Sequence, residues 1–174
     1  MPNTLTVARI VIIPVFVTAI MYRKYQHALY LFVLAALTDL FDGLLARLTD
    51  QKTRLGTFLD PLADKFLLVS SFIVFTVNGW IPLWLTITVI SRDLIVVIGW
   101  LLLYMITGSA KIEPVLLGKI AIALQLGMLA YVLLSINLSS APPLHDIFYW
   151  AVASVTALSA LQYIVRGLRA SDAG

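Results

Sequence analysis

Six apolar stretches, separated by short polar breaks, follow one another along the chain at roughly 5–22, 27–47, 55–78, 82–107, 114–137 and 143–167. About 20 apolar residues suffice for a helix to cross the hydrocarbon of a bilayer, and each stretch reaches that length. The breaks carry recognisable stop signals: Arg23-Lys24, the polar run from Thr49 to Arg54, Asn78-Gly79 before Pro82, Gly108-Ser109, and Pro142-Pro143. Connections this short place consecutive helices antiparallel. The pattern predicts an all-α integral membrane protein, a bundle of six transmembrane helices forming one domain over 1–174, with no internal repeat. Arg9 ahead of the apolar run from Ile10 to Met21 resembles a signal peptide, but Tyr22-Arg23-Lys24 follows in place of a small-residue cleavage site. An uncleaved first span is therefore expected.

Composition agrees with a lipid environment. Apolar residues make up 61% of the 174 positions, charged residues 12%, and mean hydropathy is +0.98. There is no cysteine, which excludes disulfides, thiolate zinc sites and cysteine nucleophiles. The net charge of +3 is spread without a basic arm or low-complexity linker, so no nucleic-acid partner is expected. The distribution of Lys and Arg is informative. With six spans, both termini and the second and fourth loops share a face, and that half holds all twelve basic residues except Arg23 and Lys24. The asymmetry predicts both termini in the cytoplasm of a multi-pass protein of the cell's inner membrane.

Against this background four carboxylates stand out. Asp39, Asp42, Asp60 and Asp64 are four of nine acidic residues, gathered where the second and third predicted spans meet on the cytoplasmic side. A carboxylate in or beside hydrocarbon is costly unless it pairs, binds a cation or faces water, so the group is a functional candidate. With about 3.6 residues per helical turn, Asp39, Asp42 or Gly43, and Ala46 share one face, and Gly56, Asp60 and Asp64 form a matching stripe on the next helix. Facing each other across an antiparallel pair, the two stripes would bring all four carboxylates together. Oxygen-only donors suit a hard divalent cation, Mg²⁺ or Mn²⁺, and four carboxylates could hold two. Gly43, Ala46 and Gly56 leave room for a ligand, and the planar fork of Arg47 could clamp a phosphate oxygen. Such a set suits diphosphate chemistry, with one carboxylate free to take a proton from an attacking hydroxyl. The structural alternative is a buried network pairing Asp39 and Asp42 with Arg47 and Arg54. A different functional class, a small proton or cation carrier, would favour carboxylates strung through the membrane depth, whereas these cluster at one boundary.

The string D-x-x-D-G-x-x-A-R, eight residues, G-x-x-x-D-x-x-x-D is met here by Asp39, Asp42, Gly43, Ala46, Arg47, Gly56, Asp60 and Asp64. It resembles, at every fixed position, the signature of the CDP-alcohol phosphotransferases, and six spans with the motif across the second and third resemble that family over the whole chain. The resemblance implies a metal-dependent transferase of phospholipid biosynthesis, moving a phosphatidyl group from CDP-diacylglycerol to an alcohol and releasing CMP. It further implies that Asp39, Asp42 and Asp60 bind metal, that Asp64 is the general base and a possible further ligand, and that Gly43, Ala46, Arg47 and Gly56, with Asp39, line the CDP site. A homodimer among membrane lipids is the assembly it suggests.

The opening P-N-T-L-T-V-A-R-I resembles the phosphatidylglycerophosphate synthase and cardiolipin synthase branch, which would put Asn3 near the nucleotide; alternatively Thr4 or Thr6 caps the first helix. Arg92, about ten residues inside the fourth span, and Lys119 at the start of the fifth, with Lys111, are candidates to hold an acceptor phosphate. Charge balance between Arg92 and Asp93 is the structural alternative. Glycerol 3-phosphate is the expected acceptor and phosphatidylglycerol the alternative. Arg92-Asp93 and G-K-I-A-I depart from the Arg-Glu and G-K-x-K-T common in the glycerophosphate enzymes, and with Pro114 and Gln125 they look closer to the cardiolipin synthases. His27 and His145, near span ends on the outer face, are expected to be interfacial.

Overall fold

A computed structural model of the chain describes the backbone of residues 2–49, 54–107, 116–138, 142 and 144–172, and the side chains of 11–38, 65–99, 101, 102, 105, 116–138, 142 and 144–168. These residues form six helices and no strand: α1 Pro2–Met21, α2 Tyr25–Thr49, α3 Arg54–Val77, α4 Leu83–Thr107, α5 Leu116–Asn137 and α6 Asp146–Asp172. Their order and number match the apolar pattern. The ends differ by a few residues: α1 starts at Pro2, the fixed φ of proline suiting a first helical turn, and α6 starts at Asp146, an acid placed against the positive end of the helix dipole.

The chain divides into two compact units. The first contains residues 1–80 and 129–143, hence α1 to α3 and the C-terminal part of α5. Here α1 packs against both α2 and α3. Its buried stripe is Ile13, Phe16 and Ile20; that of α2 is Ala28, Phe32 and Ala35; that of α3 is Leu68, Phe72 and Phe75, all at helical spacing. The small Ala28 and Ala35 let α1 approach α2 closely, and in lipid such close packing is a main source of helix association. Aromatic rings connect the stripes. Phe16 lies 5.9 Å from Phe32 and 6.5 Å from Phe75, and Trp80 meets Phe75 edge-on at 5.2 Å and Tyr25 at 5.3 Å.

Two helix ends in this unit use one device. After α3, the N–H of Gly79 donates to Thr76 and that of Trp80 to Phe75; after α1, the N–H of Arg23 donates to Ile20 and that of Lys24 to Ala19. Both are Schellman caps, which need a left-handed residue. Gly79 (φ 75°) is the expected occupant, but the other position is taken by Arg23 at φ 58°. A side chain there costs about 1–2 kcal/mol, partly offset because a cation at a helix C-terminus is favourable.

The second unit contains 81–128 and 144–174: α4, the N-terminal part of α5, and α6. α4 and α6 form its main contact, with Trp84 and Trp150 stacked at 4.6 Å. The buried faces are Leu85, Thr86, Val89 and Arg92 on α4, and Val152, Ala153, Thr156, Ser159 and Ala160 on α6.

α5 (Leu116–Asn137) and the segment Asp146–Leu168 of α6 are each long and apolar enough to cross a membrane, with mean hydropathies of 1.9 and 1.4. Only 33% and 28% of these segments are buried within the protein. The helix interior of a soluble protein would be mostly buried, so the outward apolar surface fits lipid as solvent.

Candidate active site

The eight motif positions all fall on helical backbone, five in the C-terminal half of α2 and three in the N-terminal half of α3. Helical rise separates Asp39 from Asp42 by about 4.5 Å along the axis, and Asp60 from Asp64 by about 6 Å. Helical backbone on both segments is one condition of the two-stripe reading. The side chains of Asp39, Asp42, Gly43, Ala46, Arg47, Gly56, Asp60 and Asp64, and that of Asn3, lie outside the described residues, as does Lys111 altogether. Among the described residues no group of three or more potential metal-binding side chains occurs, and the donor set in question is the four-carboxylate one of the motif.

Hydroxyls flanking the motif are engaged in their own helices. Thr38 donates to the Leu34 carbonyl at 2.6 Å, and Ser71, fully buried, donates to Leu67 at 2.7 Å. Neither is presented as a nucleophile.

A second polar cluster occupies the interior of the second unit. Arg92 is 4% exposed. Its Nε donates to Ser159 Oγ at 3.1 Å, its Nη1 to Asp93 Oδ1 at 2.7 Å, and its guanidinium carbon sits 5.6 Å from the centre of the Tyr163 ring. The Ser159 hydroxyl in turn donates to the Thr156 carbonyl at 2.8 Å, and Thr156 Oγ1 accepts from Gln125 Nε2 at 3.0 Å. A buried guanidinium demands such partners, since an unpaired one would be strongly destabilising. The ion pair weighed from the sequence is thus present, and α6 supplies the rest. Gly118 completes the packing: a Cβ there would stand 3.0 Å from Arg92 Nη2 and 3.3 Å from Tyr163 Cε2. Lys119, the next residue, is exposed.

Sequence reasoning missed Thr156, Ser159 and Tyr163. They recur at i, i+3, i+7 within α6, a polar stripe on one face of the helix. The space requirement at Gly118 was hidden by attention to its lysine neighbour.

The sequence pattern of the CDP-alcohol phosphatidyltransferases matches residues 1–160. The chain belongs to that family. It is 41% identical over 98 residues to a probable phosphatidylglycerophosphate synthase of Mycobacterium tuberculosis, covering 53% of this chain and 47% of that protein. It is 34% identical over 179 residues to the cardiolipin synthase (CMP-forming) of Rattus norvegicus, covering 93% of this chain and 59% of the relative, and 32% identical to the human protein of that name over 93% and 60%. The chain thus spans about half to three fifths of the length of these relatives.

Proposed function

We propose that this protein transfers a phosphatidyl group from CDP-diacylglycerol to an acceptor alcohol and releases CMP. The observation carrying the reading is the complete eight-position motif on the adjoining halves of α2 and α3 in a member of this family. The acceptor hydroxyl oxygen attacks the phosphorus bearing the diacylglycerol, the bridging P–O bond to CMP breaks, and the hydroxyl proton passes to the Asp64 carboxylate. Four carboxylates are a donor set that fits hard divalent ions, with Asp39, Asp42 and Asp60, and Asp64 as a further ligand, as the residues that would hold two Mg²⁺ or Mn²⁺. When bound, such ions neutralise diphosphate charge and favour departure of CMP. Arg47 clamps a phosphate oxygen, and Gly43, Ala46 and Gly56 leave room for the nucleotide beside Asp39 and Asn3.

All six helices span the membrane in this reading, with both termini and the carboxylates on the cytoplasmic side; the Lys and Arg distribution supports it. The protein acts as a homodimer. Glycerol 3-phosphate, held by Arg92, Lys119 and Lys111, is the first candidate acceptor. Phosphatidylglycerol is the second, favoured by one observation: the rat and human cardiolipin synthases align with 93% of the chain, against 53% for the phosphatidylglycerophosphate synthase. Supplying purified protein with CDP-diacylglycerol, Mg²⁺ or Mn²⁺, and each acceptor in turn tests both. CMP release with neither acceptor above background would refute the transferase reading, and release with one alone names the acceptor.

A further inference from the structure

Between α1 and α2, at the end of the hairpin away from the carboxylates, the surface opens into a groove of about 580 Å³. Its floor is apolar, from Val15, Ala19 and Leu31, and its rim carries Lys24, His27 and Tyr30. The size is that of a small-molecule pocket. Along α2 His27 stands 12 residues before Asp39, about 18 Å by helical rise, so the groove is separate from the transferase motif.

The rim carries the Lys24 cation on a backbone turn that is fixed by hydrogen bonds. Residues 1–38 contain no Asp or Glu, and within this unit acids occur only at 39–64. Lys24 is held on both sides by its backbone: its N–H donates to Ala19 at 2.8 Å and its carbonyl accepts from Ala28 at 3.1 Å. Its neighbour Arg23 occupies the left-handed position that the equivalent cap after α3 gives to Gly79, adding a second cation at the turn despite the backbone strain. The Thr18 hydroxyl donates to the Pro14 carbonyl, so the rim donors are Lys24, His27 and tyrosine hydroxyls.

An apolar floor ending in the Lys24 ammonium and the N–H donor of His27, and flanked by tyrosines, complements one kind of molecule present at that depth. We propose that this groove binds an anionic phospholipid of the leaflet opposite the carboxylates, with an acyl chain along Val15, Ala19 and Leu31 and the phosphate on Lys24 and His27. A soluble anion would use the rim and leave the floor exposed; a zwitterionic lipid would fill the floor but bring its own cation to the rim. The inference rests on the reading that α1 and α2 span the membrane.

The test is native mass spectrometry of the full-length chain in detergent, titrated with dioleoyl phosphatidic acid or dioleoyl phosphatidylcholine. One phosphatidic acid per chain is expected to bind about tenfold more tightly than phosphatidylcholine, and K24Q/H27Q should lose about that factor. A19W, which fills the floor with the charges intact, should weaken binding as much; it keeps the proposal testable if the double variant does not fold. Bound phosphatidic acid should survive excess CDP-diacylglycerol and millimolar inorganic phosphate. Equal retention of the two lipids, no effect of the variants, or displacement by either competitor would overturn the proposal. Flotation of the chain with phosphatidylcholine vesicles after a carbonate wash checks stable insertion, which the spanning reading requires, separately: a chain that floats without lipid selectivity refutes the groove alone.

Discussion

Gly118 and Gly127 lie nine residues apart on α5, and replacing each by alanine should shift stability in opposite directions. At Gly127 a Cβ meets nothing within 4 Å, whereas at Gly118 it would stand 3.0 Å from Arg92 Nη2 and 3.3 Å from Tyr163 Cε2. Ordinary contact between heavy atoms is about 3.5–4.0 Å, so the guanidinium would have to give by a few tenths of an ångström. It is held by Ser159 and Asp93 and lies against Tyr163, so it cannot give without straining those contacts. Overpacking of this kind costs about 1–3 kcal/mol. Alanine recovers about 0.8–1.0 kcal/mol in helix propensity, leaving G118A less stable by about 1 kcal/mol, whereas G127A keeps the whole gain. For a chain of this size each kilocalorie moves Tm by about 2–4 °C, read from thermal unfolding of the two variants in one detergent. If G118A melts at or above G127A, the Arg92 cluster is not the fixed assembly described.

Four further expectations follow from the Arg92 cluster and from the two helix caps. Arg92→Lys keeps the charge but loses the planar fork that reaches Ser159 and Asp93 together; Tm should fall, and if Arg92 grips an acceptor phosphate the acceptor's KM should also rise several-fold. A fall in Tm without a change in KM would make it purely structural. Arg92→Ala removes the guanidinium from beside Asp93 and Ser159 and should destabilise by about 3–5 kcal/mol, measured by the same melting assay. Gly79→Ala places a side chain at φ 75° with open space around it, so its cost of about 1–2 kcal/mol comes from the backbone alone; Arg23→Gly should not destabilise by more than about 1 kcal/mol, because relief of the left-handed strain opposes the lost dipole interaction.

Much of this architecture is legible in the residues because helix boundaries here are chemical. Asn78-Gly79 announces the end of α3, and Gly79 does cap it. The turn after α1 is announced by charge, yet nothing in Arg23-Lys24 signals that arginine would take the glycine position. Arg92 is conspicuous as a deep charge in an apolar run, and its adjacent acid is readable at once. Ser159 lies 67 positions away on another helix, and helical periodicity identifies a buried face without saying what it meets. The aspartate motif is legible as a specific spacing, and its helical backbone agrees, but the meeting of the two stripes depends on tertiary placement that spacing alone does not encode.

The most direct test of the transferase reading is CMP release from CDP-diacylglycerol by the purified chain and by its D64N variant, with divalent ion and acceptor supplied. Wild-type release should require both additions, and D64N should fall by about 10²–10⁴, the usual contribution of a general base, while still binding CDP-diacylglycerol. Turnover by D64N at the wild-type rate, or wild-type turnover unaffected by a chelator, would contradict it.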